Sequence, residues 1–125
     1  MANNITLRIN GINFSNYIQQ ETDISEQMRK IIGPAQEEGI DGVTIPDLVK
    51  VKWDPAFRLK PLPQSAMVTL IALMEAETVT LQYSSVRTQA LRSIEAMPVS
   101  MQVQFATMFN GERIYADTPI SFEEV

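Results

Sequence analysis

Residues 48–84, LVKVKWDPAFRLKPLPQSAMVTLIALMEAETVTLQYS, decide the fold because their hydrophobic period changes twice. Over residues 49–59 apolar side chains hold the odd positions and most even positions are charged, which predicts a strand with one face on a core. The apolar members of this predicted strand are Val49, Val51, Trp53, Phe57 and Leu59. Pro55 interrupts the alternation and predicts a bulge or an edge position.

The next part of the stretch has helical spacing over residues 64–75. Its apolar stripe consists of Met67, Leu70, Ile71 and Met74. Pro63 fits the first helical position, where a missing N–H costs nothing. Over residues 78–83 the alternation returns, so the stretch predicts strand, helix, strand. We expect Trp53 to pack in the core rather than to stack on a sugar or a base.

Composition limits the classes of function. A chain of 125 residues fits one domain, 1–125, with a real core, and its net charge of −5 argues against binding duplex DNA. The sequence contains no cysteine and no histidine, which excludes disulfides and thiolate metal sites and removes the commonest general base. No apolar run approaches the ~20 residues that a membrane helix needs.

Two Asn-Gly pairs predict hairpins, because both residue types tolerate a positive φ angle. Asn10-Gly11 lies between apolar alternations at residues 5–9 and 12–14, and Tyr17 with Ile18 is predicted to continue a short strand. Asn110-Gly111 follows a predicted strand through Met101, Val103 and Phe105. After this turn the sequence predicts short strands at Ile114 and Tyr115 and at Ile120 and Phe122.

Three segments are less regular. Residues 23–31 fit either a short capped helix or a strand through Met28 and Ile31. Residues 86–97 fit a helix by propensity and a strand by alternation. Residues 33–46 contain three glycines and several acidic side chains and exceed the usual connection length, which predicts an exposed loop.

The sequence offers no constellation of catalytic residues. Glu37, Glu38 and Asp41 could bind Ca²⁺, but their spacing matches no EF-hand, and a solvated loop is the stronger interpretation. Glu123 and Glu124 are interpreted as a solvated tail. We therefore expect no enzyme, no cofactor and no metal site. Several short strands with one central helix predict an α+β, mainly β fold: a small β-sandwich or split barrel with one flanking helix at about residues 64–75.

The order of parts resembles small tail-cluster proteins of long-tailed (siphovirus-type) phages and prophages of Gram-positive bacteria. Four stretches carry the resemblance: INGINF at residues 9–14; KIIGPA at 30–35 with 41–42 and 47–49; RLKPLP at 58–63 with the helix and TVTLQY at 78–83; and ISFE at 120–123. Together they span most of the chain. The resemblance implies the tail-tube and distal-tail fold group, and it favours a strand, or a strand preceded by a turn, within residues 84–97.

The resemblance also implies a function. It implies a structural component of the virion tail, made in the bacterial cytoplasm, that packs against other tail proteins and against itself in rings that are often hexameric. No membrane and no sequence-specific nucleic acid is expected as a partner. An independent binding module for a host surface or a carbohydrate is the alternative.

The predicted contact element is the loop at residues 33–46. Its candidate interface residues are Gly33, Pro34, Glu37, Glu38, Asp41 and Gly42. We expect its acidic groups to meet Arg29, Lys50 or Lys52 of a neighbour. Exposed ion pairs of this kind are worth ~0–1 kcal/mol each, so they set register more than affinity.

Overall fold

The computed structural model describes residues 5–32 and 49–125. Within these residues the fold is mainly β with one α-helix, as predicted. Its elements are β1 Leu7–Ile9, β2 Ile12–Asn13, β3 Ile24–Ile32, β4 Val49–Leu59, β5 Leu62–Pro63, α1 Gln64–Met74, β6 Val79–Ser84, β7 Leu91–Met101, β8 Phe105–Phe109, β9 Glu112–Tyr115 and β10 Thr118–Glu124. Two short 3₁₀ helices, Ser15–Tyr17 and Glu21–Asp23, lie between β2 and β3.

The strands form two antiparallel sheets. The larger sheet has the order β2-β1-β6-β7-β10-β4-β3, and the smaller has the order β5-β9-β8. Side chains of both sheets and of α1 belong to one core cluster. The finer prediction of a β-sandwich or split barrel is not established by this pairing and stays a prediction.

Phe57 of β4 lies at the centre of the core. The rings of Tyr83 and Phe122 pack edge-on against it, with centroid distances of 5.4 and 6.0 Å. Met67 and Leu70, on the predicted apolar stripe of α1, are 1% and 0% exposed. Burying a side chain of this size contributes roughly 1.5–3 kcal/mol, so the helix is held mainly by its apolar face.

Both predicted Asn-Gly hairpins form. Asn10 and Gly11 have φ angles of 51° and 81°, and Asn110 and Gly111 have φ angles of 52° and 77°. Positive φ at both central residues matches the right-handed twist of the flanking strands. The first turn also joins β6, because Asn10 exchanges two 2.8 Å hydrogen bonds with the backbone of Thr80.

The two ambiguous segments that the structure describes are strands. Residues 24–32 form β3, whose nine residues all pair with β4, so the helical alternative for residues 23–31 is wrong. Residues 86–90 form a turn, and β7 follows, which confirms the strand preceded by a turn. In each case pairing with neighbouring strands overrides the local helix propensity.

Several boundaries differ from the prediction. Pro63 precedes α1 with an extended ψ of 161° and pairs with Ile114 of β9. The strand predicted at Tyr17 is wrong, because the Tyr17 N–H bonds the Phe14 carbonyl at 3.0 Å and closes a 3₁₀ turn. The strand predicted through Val103 is interrupted between β7 and β8.

Pro55 lies in an interior strand, so the predicted edge position is wrong. β4 runs between β10 and β3, and Pro55 pairs with Glu26 of β3 without a shift in register, so no bulge forms there. The pairing of β4 with β10 ends at Ala56. Because this ladder has already ended at Pro55, the missing N–H of the proline removes no hydrogen bond to β10.

Candidate interaction surface

The β3–β4 hairpin extends past the core. At its base, Ile24 and Phe57 form a pair and are 5% and 2% exposed. Farther along the same face, Met28 and Val51 are 47% and 50% exposed. Because alternate residues of a strand share a face, the core face of the hairpin continues outward as a strip on which these two apolar side chains lie beside exposed Lys30, the pairing partner of Val51. We call residues 26–32 and 49–55 the arm, and the strip its inner face.

The predicted alternation of β4 is confirmed only in its second half. Phe57 and Leu59 belong to the core cluster, whereas Val51 is exposed and Trp53 is half-buried outside that cluster. The expected core position of Trp53 is therefore wrong. The Arg87 guanidinium lies 4.6 Å from the centre of its ring and covers it in a cation–π contact.

A buried carboxylate fixes the base of the arm. The side chain of Glu26 is 1% exposed and accepts hydrogen bonds from the Ser85 hydroxyl at 2.6 Å, the Tyr83 phenol at 2.8 Å and the Arg87 backbone N–H at 2.9 Å. The guanidinium groups of Arg87 and Arg92 lie 3.8 and 3.9 Å away. Every acceptor direction of this carboxylate thus has a donor or a cation near it.

These partners set the protonation state of Glu26. Burial alone would raise the pKa of Glu26, but hydrogen bonds from Ser85, the Arg87 N–H and Tyr83, with the charge of Arg87, lower it below its ordinary value. The group is therefore ionised at neutral pH. A buried charge is tolerated only when it is paired and hydrogen-bonded, and this arrangement holds the arm in place rather than providing a reactive acid.

The C-terminal end of β10 is hydrogen-bonded to the arm on its other side. Glu124 accepts hydrogen bonds from the Arg92 guanidinium at 2.7 Å and from the Trp53 N–H at 2.9 Å. Its own N–H donates to Asp54 at 3.0 Å, and Arg29 bonds both Asp54 and the Glu124 carbonyl. Glu124 is thus part of a partly buried network. The interpretation of this residue as solvated tail is wrong.

The predicted interface loop lies outside the described residues, which include none of Gly33, Pro34, Glu37, Glu38, Asp41 and Gly42. The three basic side chains expected to meet such a loop are described. Arg29 pairs with Lys52 in the β3–β4 register, and Ile31 pairs with Lys50, so all three cations share the outer face of the arm. Arg29 is bonded to Asp54, Lys52 donates to the Val125 carbonyl at 2.9 Å, and Lys50 is exposed.

Sequence reasoning missed the residues that hold the arm, namely Glu26, Arg87 and Arg92. One signal was present for Glu26, because it alternates with Ile24 and Met28 on a strand face. An acidic side chain between apolar neighbours on one face predicts a buried, paired carboxylate. The first of the cations that pair with it, Arg87, follows 61 residues later along the chain, so the pairing could not be predicted from the local pattern.

Over residues 5–32 and 49–125 no group of three or more acidic side chains is placed to hold a metal ion. In the same part of the chain no helix has the length and apolarity that crossing a membrane requires. A groove of about 810 Å³ lies beside Ser84, Ser85 and Gln89, and Glu21 is the one ionisable side chain among its described lining residues.

No protein-family model matches this chain, and neither a curated protein nor a solved structure matches it. Among the described residues, the arm and the network that holds it are the features that bear on function.

Proposed function

We propose that this chain is a non-enzymatic structural protein of a phage or prophage tail, and that it works by self-association through the arm. The observation that carries the proposal is the pair of exposed apolar side chains on the inner face, Met28 and Val51, which are 47% and 50% exposed and lie beside Lys30. Contiguous exposed apolar surface marks protein–protein contact sites.

The way the arm is held supports a docking role. Glu26 and Glu124 each accept several hydrogen bonds at its base, and the Arg87 guanidinium covers Trp53. A surface that is already ordered loses little conformational entropy when a partner binds. The inner face is therefore preorganised for a partner.

Charge favours another copy of this chain as that partner. The outer face of the arm carries three cations, Arg29, Lys50 and Lys52, against one carboxylate, Asp54, which pairs with Arg29, whereas the whole chain has a net charge of −5. A basic arm on an acidic protein attracts the body of a neighbouring copy and orients it. Repetition of such a head-to-tail contact builds a ring where the rotation between copies closes, and the resemblance to tail-tube and distal-tail proteins favours a hexamer in the virion tail, in contact with other tail proteins.

A charge on the inner face tests the proposal. In dilute protein, we expect size-exclusion chromatography with light scattering to give the parent a ring mass and Val51→Asp a monomer mass with an unchanged thermal midpoint. Val68→Asp is the matched control, because Val68 is 60% exposed on α1, away from the arm. A Val51→Asp protein that assembles like the parent would overturn the proposal.

The predicted interface loop needs a separate experiment. Deletion of residues 36–42 is expected to leave the thermal midpoint close to that of the parent while ring formation or incorporation into tails fails. Normal assembly of the deletion variant would remove the loop from the interface and leave the arm as the contact element.

The alternative function, an independent binding module, is supported by the groove of about 810 Å³ beside Ser85. Its described lining presents hydroxyl and amide groups from Thr6, Gln20, Ser84 and Gln89. Groups of this kind suit a neutral polar ligand such as a carbohydrate. Saturable binding of a host-wall polysaccharide by a monomeric protein, lost in Gln89→Leu, would favour this function over tail assembly.

A further inference from the structure

β8 is an uncharged and apolar edge strand. It is the last strand in the order β5-β9-β8, and all five of its residues, FATMF, are exposed. Phe105, Met108 and Phe109 are 50%, 54% and 64% exposed. Within residues 5–32 and 49–125 no strand pairs with its other edge, so the backbone groups on that edge have no partner in a sheet.

Comparison with the other long edge strand shows what β8 lacks. β3 ends the larger sheet, and its nine residues include Glu26, Arg29 and Lys30. Charged side chains of this kind prevent edge-to-edge pairing. Between Met101 and Gly111 the sequence contains no charged residue at all. The edge of β8 therefore lacks the charges that would keep another strand away.

The sequence of β8 is close to symmetric about Thr107. In an antiparallel pairing centred there, Phe105 of one copy lies opposite Phe109 of the other, and the two Thr107 residues face each other. Aromatic and Thr–Thr cross-strand pairs are favourable, and an isologous contact needs a self-complementary patch. We propose that β8 pairs with β8 of a second copy across a two-fold axis at Thr107.

The contact is small. A strand of five residues buries less than the ~1,200 Å² at which stable interfaces begin, so this dimer dissociates on dilution. A register shift against β9 between Phe105 and Thr107 bends the first half of β8, which weakens the Phe105–Phe109 pairs and keeps the pairing from extending along the chain. The contact is separate from the arm, and it does not depend on the tail assignment.

Single cysteines test the register, because the parent has none. Thr107→Cys, Met108→Cys and Phe109→Cys are prepared in the Val51→Asp background, where the arm contact is blocked, and oxidised at high protein concentration. Cysteines that face each other in an antiparallel pair satisfy disulfide geometry. We expect a covalent dimer for Thr107→Cys at several times the yield of Phe109→Cys, whose thiols lie four positions from the symmetric pairing.

A charge introduced at the two-fold axis tests the contact without cross-linking. Thr107→Lys places two cations opposite each other and is expected to raise the dimer dissociation constant about tenfold. Thr88→Lys, at an exposed threonine in the turn before β7, is the matched control and should dimerise like the parent.

Three results would overturn the inference. They are a Val51→Asp protein that stays monomeric at every concentration, equal cross-linking at all three positions, and preferential cross-linking through Met108→Cys. The arm and β8 are read out by different variants, so failure of this contact leaves the test of ring formation unaffected.

Discussion

The phenol of Tyr83 donates a 2.8 Å hydrogen bond to the carboxylate of Glu26. These residues lie on β6 and β3, which are separated by three strands in the sheet. In a flat sheet such strands would be ~19 Å apart, at ~4.8 Å per strand. The larger sheet is therefore strongly curved, and its inner side chains meet across the concave face. Closure into a split barrel stays a prediction, since no strand pairing joins β3 to β6 within the described residues.

Tyr83→Phe is expected to lower the free energy of unfolding by about 1–2 kcal/mol, because it removes one donor from a buried carboxylate. The same change also removes the acceptor of a 2.9 Å hydrogen bond from Arg92. Chemical denaturation checks the value. Tyr17→Phe, at a half-buried tyrosine away from the arm, is the control and should change the free energy of unfolding by much less.

Acid should destabilise the folded state through Asp23, Glu26 and Glu124. Burial alone would raise the pKa of each, but hydrogen bonds and neighbouring cations lower all three below their ordinary values of 3.8, 4.5 and 4.5. The folded state then binds fewer protons than the unfolded state, so these groups stabilise fully above about pH 4.5 and lose that effect as pH falls through the lowered values.

Thermal midpoints between pH 7 and 2.5 measure this loss. Without histidine, we expect a nearly constant midpoint from about pH 5.5 to 7 and a steep decline at lower pH. Glu26→Gln should make the decline shallower, since the amide does not titrate. If the thermal midpoint of Glu26→Gln falls with decreasing pH as steeply as that of the parent, the role of Glu26 is contradicted.

An alkaline limit follows from Tyr83. Burial raises the pKa of Tyr83 to about 12, and the hydrogen bond to Glu26 acts in the same direction. A folded-state pKa above the unfolded value of 10.0 means that stability is present below pH 10 and is lost as pH rises toward 12. Absorbance at the phenolate band should show a late-titrating group that Tyr83→Phe removes. If the late titration step persists in Tyr83→Phe, it belongs to another tyrosine.

The Asn-Gly turns predict a backbone effect without side-chain contacts. Gly11 has a φ angle of 81°, and a Cβ added there would meet nothing within 4 Å. Gly11→Ala should therefore cost about 1 kcal/mol from the left-handed conformation alone. Gly11→Asn is the control and should cost less, because Asn tolerates this region. Equal denaturation midpoints for Gly11→Ala and the parent would exclude strain at this turn.

The sequence predicted the parts of the fold that depend on local period. Alternation over residues 79–83 and 57–59, the helical stripe and both Asn-Gly turns agree with the structure, because each pattern spans only a few neighbouring residues. The point along β4 at which the core ends could not be predicted, because exposed Val51 and buried Phe57 belong to the same alternating apolar pattern. The network at Glu26 could not be predicted either, because the curvature of the sheet brings together residues that are distant along the chain.

The last prediction concerns Trp53, which is the only tryptophan of the chain and therefore a specific fluorescent reporter of the arm. The Arg87 guanidinium lies 4.6 Å from its ring centre. Arg87→Ala removes this cover while keeping the backbone N–H that bonds Glu26. We expect a red shift in emission and a loss in the free energy of unfolding above the roughly 0.5–1 kcal/mol of a partly exposed cation–π pair, because the change also removes a cation 3.8 Å from the buried Glu26 carboxylate.

Two further variants separate the contributions to this effect. Arg113→Ala removes a guanidinium that lies over Phe105 instead and should leave the Trp53 emission unchanged. Trp53→Ala should cost less than the ~3–5 kcal/mol typical of a fully buried tryptophan, because the ring lies outside the core cluster. A cost in that upper range would mean that the arm packs more tightly than its exposed inner face indicates. An emission spectrum of Arg87→Ala identical to that of the parent would show that Arg87 does not shield the ring in solution.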